Sequence, residues 1–223
     1  MTHDADPKPL ANRTKSLRQS DIRAVTLLLS EFDAINLGQG VCDMPTPEPI
    51  KHGARLAIED DHSTYTSYAG IAPLRRAILN KARSFNHIPA ASEDEILVSV
   101  GSTGAFVTAI FTLLEPGDEV VLFEPFYSYH RNLIALTGAT LQYVPTRGPG
   151  WEIDFEELRR AISPRTKAIV LNTPSNPSGK VWSRAELEAV LSLLQEHDLY
   201  AITDEIYEYM TYDGHEHVSL ASL

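Results

Sequence analysis

Short apolar runs alternate with helix-patterned stretches through the second half of this chain, and this rhythm restricts its fold more than any other feature. The runs are Glu95–Val100, Glu119–Phe123, Ala139–Val144, Lys167–Leu171 and Leu199–Thr203. Between them lie helical patterns at Thr103–Leu114, Tyr127–Thr137, Asp154–Ile162 and Ser183–His197. A strand covered on both faces reads as a continuous apolar run. Two parallel strands need a crossover connection, usually a helix. The chain therefore predicts an α/β fold: a mainly parallel, doubly wound sheet with helices on both faces. Punctuation agrees with this. Pro116-Gly117 and Gly138 end helices, Asp154 caps one, and Ser183 with Glu186 forms a capping box. Pro145–Gly150 reads as a loop.

The first third is less regular. Residues 1–16 are polar, carry Pro7 and Pro9, and predict a mobile arm. A helix is expected from Ser20 to Phe32, capped by Ser20, with Ile22, Val25, Leu28 and Leu29 on one face. Gly38–Pro47 is extended loop. Helices come next near Pro49–Asp60 and over Pro73–Asn86, the second with Leu74, Ala77 and Ile78 on one face.

Charge narrows the partners. The chain has 30 acidic and 19 basic residues, a net charge of −11, which argues against nucleic acid and anionic membranes. A solvated acidic surface accounts for the excess. One cysteine, Cys42, excludes an intrachain disulfide and suggests a reducing compartment. No apolar stretch approaches the ~20 residues of a membrane span, and the start has no apolar signal core. The expectation is a soluble, cytoplasmic protein.

The chemistry gathers where strands end. Asn172-Thr-Pro-Ser-Asn176-Pro-Ser-Gly179 comes after one run, and Thr203-Asp204-Glu205-Ile-Tyr207 after another. Open α/β sheets bind ligands at the carboxyl ends of their strands. An amide, a carboxylate and a phenol on one rim suit an aromatic heterocycle with a basic ring nitrogen and a ring hydroxyl. Val100-Gly101-Ser102-Thr103-Gly104 lies between a strand and a helix, where free N–H groups and hydroxyls can hold an anion. Each signal has a plainer alternative. Asn176-Pro-Ser-Gly179 can be a simple turn, Gly101–Gly104 an ordinary strand–helix joint, and Asp204-Glu205 a charged helix start.

Taken together, from about Asp33 to the last residue, these segments resemble the class I, fold-type-I aminotransferases, which use pyridoxal phosphate. They are most similar to the branch holding kynurenine, glutamine and aspartate aminotransferases. The resemblance implies pyridoxal 5'-phosphate as cofactor, with amino acid and 2-oxo acid substrates. It implies a phosphate cradle at Gly101, Ser102 and Thr103, and Tyr127 of Glu124-Pro-Phe-Tyr127 stacked on the ring. Asp204 would sit at the ring nitrogen, with Asn176 and Tyr207 at the ring oxygen. Asn36-Leu-Gly-Gln-Gly40 would offer the Gly40 N–H to the substrate carboxylate, a group Asn176 also serves. Tyr65, in Tyr65-Thr-Ser-Tyr-Ala-Gly70, would reach the cofactor phosphate of a neighbouring subunit, which implies a homodimer. Core packing is the alternative for Tyr65, Tyr68 and Tyr127.

The resemblance also implies a division: an arm and helix over 1–32, then part of the cofactor-binding large domain over 33–223, incomplete at its C-terminus. The small domain, its carboxylate-binding arginine and the Schiff-base lysine fall beyond Leu223, and none of the six lysines present matches that lysine. Two classes of function are implied. One is a pyridoxal-phosphate-dependent aminotransferase, or a related cysteine-conjugate β-lyase, acting as the longer parent. The other is an inactive fragment or interaction scaffold. His215-Glu-His217 has metal-like letters, but alternation in a polar tail reads as exposed, so no metal is expected. Cys42 has no neighbouring base and is not expected to act as a nucleophile.

Overall fold

The computed structural model describes residues 8–32, 34–40, 42–90 and 92–223. Its centre is a five-stranded sheet in the order β3-β2-β1-β4-β5. The strands are β1 (Glu119–Glu124), β2 (Thr140–Arg147), β3 (Glu152–Ile153), β4 (Thr166–Asn172) and β5 (Tyr200–Asp204). All neighbours are parallel except the short β2–β3 pair. Helices α4 (Gly101–Leu113), α5 (Ser128–Thr137), α6 (Phe155–Ala161) and α7 (Arg184–His197) pack around this sheet.

Strand periodicity splits the core in two. Val121, Phe123, Ile169 and Leu171 face Leu158 of α6 and Leu187, Val190 and Leu194 of α7. Val120, Leu122, Ala168 and Val170 face Phe106 and Ile110 of α4 and Ile134 of α5. Alternate residues point to opposite faces, so β1 and β4 are buried on both. This is why their sequences are unbroken apolar runs.

Local signals act as expected at several joints. Asp154 Oδ1 accepts from the N–H groups of Glu156 (2.9 Å) and Glu157 (3.1 Å). Ser183 and Glu186 complete their capping box. Gly138 ends α5 at φ +86°, with Pro116 atoms 3.1–3.3 Å from where a Cβ would stand, so both conformation and space favour glycine.

Elsewhere the structure corrects the sequence. Glu95–Val100 is not a strand: a short 3-10 turn covers Glu93–Glu95, and the bond from Val98 N–H to Ala69 O (3.0 Å) anchors the residues after it. No strand among the described residues pairs with this segment, so apolar composition alone does not make one. Pro145–Arg147 is not loop but the end of β2, and Pro145 sits one residue before β3 begins to pair. Proline is tolerated at such strand margins, where the ladder asks little of its missing N–H.

The arm is docked where it is described. A 3-10 turn over Asn12–Ser16 lies against α5, where Arg131 donates to Ser16 O (3.1 Å) and Asn132 bonds both N–H and C=O of Arg18. Residues 1–7 of the expected arm lie outside the described part. Helix α1 (Asp21–Glu31) forms without a side-chain cap from Ser20, and Ile22, Val25 and Leu28 on its expected face are exposed. Helix α2 spans Glu48–Glu59. Helix α3 (Ala72–Ser84) buries Leu79 rather than Leu74, and Arg75 turns inward to donate to Glu93 O and Ile96 O. No helix among the described residues is long and apolar enough to cross a membrane.

Candidate active site

The winding reverses between β1 and β4, so their carboxyl ends open a crevice of the kind that binds ligands in such sheets. Parallel pairing then sets the chemistry in register. Asn172 at the end of β4 pairs with Asp204 at the end of β5. The Asn172 amide donates to Asp204 O (2.9 Å), while its Oδ1 accepts from the Asn176 N–H (2.7 Å). One side chain thus fixes the backbone of both candidate residues. The sequence assigns Asn172 no role, and only strand pairing reveals it.

His130 is likewise invisible to the sequence reading. It lies in the first turn of α5, three residues after Tyr127, and its Nε2 donates to Asp204 Oδ2 at 3.0 Å. An ionised carboxylate only accepts, so the proton is on the imidazole side. The ring is wedged between Phe106 (centroids 4.6 Å) and Tyr127 (5.4 Å, edge-on). Burial works against the charge on Asp204, but the hydrogen bond and charge of His130 and the Ile206 N–H outweigh it, holding the carboxyl below its ordinary range. Tyr127-x-x-His130 is an i, i+3 pair at a helix start, the one sequence signal that could have paired these rings.

Tyr127 precedes α5 and stacks on Tyr129 at 5.1 Å. Burial raises its pKa, with Tyr129, Tyr207 and Asp204 adding to the effect, and the phenol stays neutral. Tyr127, Tyr207 and Asp204 therefore share one electrostatic neighbourhood.

Across the cleft stands the N-terminus of α4. Gly101 takes φ +67°, with nothing within 4 Å of where a Cβ would be. Ser99 pins it, its hydroxyl donating to Gly101 O at 2.8 Å. No side chain caps this helix, so Ser102 and Thr103 present N–H groups at positions that lack carbonyl partners. Their partial positive charge faces outward. Ser102 and Asp204 line one cavity of 310 Å³, with Ala105, Phe106 and Ile202 as its apolar floor. The site therefore offers a helix start with free N–H groups, an apolar floor, and a partly buried carboxylate held ionised.

Comparison with known proteins matches this architecture. Residues 33–223 fit the family model described as "Aminotransferase class I and II". The chain belongs to this family. Human kynurenine–oxoglutarate transaminase 1 is 41% identical over 212 residues, covering 88% of this chain and 50% of that protein. The structure of N-succinyldiaminopimelate aminotransferase from Mycobacterium tuberculosis superposes with a TM-score of 0.90 at 37% identity, over 96% of this chain and 56% of that one. Aspartate aminotransferase from Thermus thermophilus with maleate gives 0.90 at 35%, over 97% and 58%. The chain spans about half the length of the curated relatives it matches.

Within this aminotransferase segment the remaining candidates are dispersed. Tyr65 and Gly40 are exposed and line neither the Ser102–Asp204 cavity nor the crevice at Tyr127. The Gly40 loop is tied to α1: Asn36 Oδ1 accepts from the N–H groups of Gly38 and Gln39, and its amide donates to Thr26. Cys42 is exposed. The His217 side chain, expected to be exposed, is instead shielded, and its Nε2 donates to Glu205 Oε2 at 3.1 Å; His215 is exposed as expected. Glu205, Glu208 and His217 bring potential ligand atoms within 4.8 Å of one another. Lys81 pairs with Glu208, and Ser219 with His217 engages both oxygens of Glu205, while the buried His217 Nδ1 has no hydrogen-bond partner among the described residues. Lys180 is buried against Glu186 (2.6 Å), the same glutamate that closes the α7 cap.

Proposed function

We propose that this segment binds pyridoxal 5'-phosphate, and that the protein carrying it transfers an amino group between an amino acid and a 2-oxo acid. The observation that carries the reading is the partly buried Asp204 carboxylate, held ionised by His130 in a cavity it shares with the uncapped start of α4. The donor set fits the cofactor: a helix end for a phosphate, an apolar floor for a ring, and a carboxylate for a protonated ring nitrogen.

Bound pyridoxal phosphate supplies the electron sink that such chemistry needs. The residues supply the rest. Gly101, Ser102 and Thr103 bind the phosphate through N–H and hydroxyl donors. Asp204 holds a proton at the ring nitrogen, and a charged partner there keeps the carboxylate ionised. Tyr127 would stack on the ring, where aromatic pairing adds about 0.5–1.5 kcal/mol. Asn176 and Tyr207 donate to the ring oxygen, and Gly40 with Asn176 orients the substrate carboxylate. Tyr65 serves the site of a second copy in a homodimer. Its full exposure in the isolated chain supports that reading, because a phenol kept for a neighbour is left uncovered without it.

The test is Asp204→Asn in the intact protein loaded with cofactor. The volume hardly changes, so the fold should persist. Half-reaction rates with amino acid, followed by absorbance, should fall at least about tenfold, the factor that ~1.4 kcal/mol brings. Rates within about threefold of wild type, roughly half of that energy, would remove Asp204 from the ring nitrogen.

A further inference from the structure

Tyr207 stands on a turn that regular secondary structure does not hold. β5 ends at Asp204, and residues 205–210 are closed by local bonds, Glu208 N–H to Glu205 O (3.1 Å) and Met210 N–H to Tyr207 O (2.7 Å). Such bonds shape a turn without attaching it to the rest of the fold. Side chains make the attachment. Glu205 accepts from His217 Nε2 (3.1 Å) and Ser219 Oγ (3.0 Å). Glu208 is ion-paired with Lys81 in α3 and accepts from Asn86 Nδ2 (2.6 Å) just beyond that helix. The Tyr209 ring packs on Phe85 (centroids 4.6 Å), and Lys81 Nζ lies 5.1 Å from the Phe85 ring and 5.5 Å from that of Tyr209. Tyr207 is therefore flanked by residues anchored to the end of α3 or to the 217–219 segment.

These anchors are hard to release. The Glu205 and Glu208 side chains are each only 14% exposed, whereas that of Lys81 is 38% exposed, so removing the ammonium leaves a largely shielded carboxylate without its charged partner. The ion pair also spans 127 positions of sequence, so it reports the placement of a whole helix rather than of a local loop.

We propose that the Lys81–Glu208 pair is a positioning device for Tyr207. It sets where the phenol meets the cofactor ring oxygen, and so couples the end of α3 to the tuning of the cofactor. The inference rests on the role given to Tyr207 above.

The test uses Lys81→Met, which keeps an unbranched apolar stem without the charge, in the intact protein. Glu208→Gln serves equally if Lys81→Met does not fold. Two readouts are needed: amide exchange over 205–210 in the cofactor-free protein, and the pH midpoint of the absorption band of the bound cofactor. Exchange should quicken about tenfold, as loss of a charge-assisted contact implies. The midpoint should move in the same direction as in Tyr207→Phe, because a donor that drifts away acts like one removed. Lys81→Arg should restore both. Glu196→Gln, which affects only the pairs of Glu196 with Arg159 and His197, away from this turn, should move neither. A folded Lys81→Met or Glu208→Gln variant with the wild-type midpoint, beside a shifted Tyr207→Phe, overturns the proposal alone. An unshifted Tyr207→Phe removes the role of Tyr207, and this proposal with it.

Discussion

His130 Nε2 and Asp204 Oδ2, 74 positions apart in sequence, meet at 3.0 Å beneath the rim of the sheet. The contact joins the first turn of α5 to the end of β5, and the histidine is only 3% exposed. The charge on Asp204 is thus a property of two elements, one of which comes from across the cleft.

His130→Phe tests that dependence. A phenyl ring keeps the packing between Phe106 and Tyr127 but offers no N–H to Asp204. Hydrogen bonds to charged groups are worth about 1.5–3 kcal/mol, and urea denaturation should show a loss in that range. A change under about 0.5 kcal/mol, the ordinary spread for a surface substitution, would mean that the contact does not stabilise the carboxylate.

Acid should expose the same link. The folded-state pKa of Asp204 lies below its ordinary value. Its contribution to stability is therefore complete above the ordinary aspartate range, and is lost as pH falls through the lower folded value. In that acid window the denaturation midpoint of wild type should fall faster than that of Asp204→Asn, whose amide does not titrate. Parallel curves for the two proteins would contradict the assignment.

Two glycines at positive φ should behave differently when changed to alanine. An alanine at Gly101 or Gly138 takes on the left-handed cost of roughly 1–2 kcal/mol. Gly138→Ala also drives a Cβ to within 3.1–3.3 Å of Pro116, whereas Gly101→Ala meets open space. Thermal melts should rank Gly138→Ala as the less stable. Gly101→Ala should instead show the larger loss of affinity for pyridoxal phosphate by equilibrium dialysis. The reverse order in both measurements would refute the reading of the α4 start.

Tyr65 calls for subunit complementation. A phenol bonded to a phosphate contributes about 1.5–3 kcal/mol, so Tyr65→Phe should weaken cofactor retention roughly 10- to 100-fold. Mixing intact Tyr65→Phe with Asp204→Asn creates heterodimers with one site missing both groups and one site complete, if the contact is made in trans. A symmetric interface makes that contact twice. Activity at limiting cofactor should then rise on mixing. No rise despite demonstrated subunit exchange would place Tyr65 in its own chain's site or in none.

Much of the fold was legible because its signals are local. β1, β4 and the helices around them are written as apolar runs and caps, since burial on both faces leaves no polar alternation to confuse the pattern. Glu95–Val100 misled for the complementary reason: apolar composition predicts burial, but a strand also needs a neighbour, and none of the described strands pairs with it. The α1 face and the arm failed likewise. Whether Ile22, Val25 and Leu28 are covered, and whether Ser16 meets Arg131, depends on partners distant in sequence.

The sequence by itself determined the parallel sheet, its two layers of helices, and the delivery of Asn176, Asp204 and Tyr207 to strand ends, because periodicity and turn chemistry act over a few residues. Only the tertiary structure decided that Asn172 clasps both Asp204 and Asn176, that His130 holds the Asp204 charge, and that Lys81 and His217 grip the turn bearing Tyr207. Those are contacts between segments whose spacing in sequence carries no information about their distance in space. They exist because parallel pairing and helix packing bring shielded charges together, where each must find a partner.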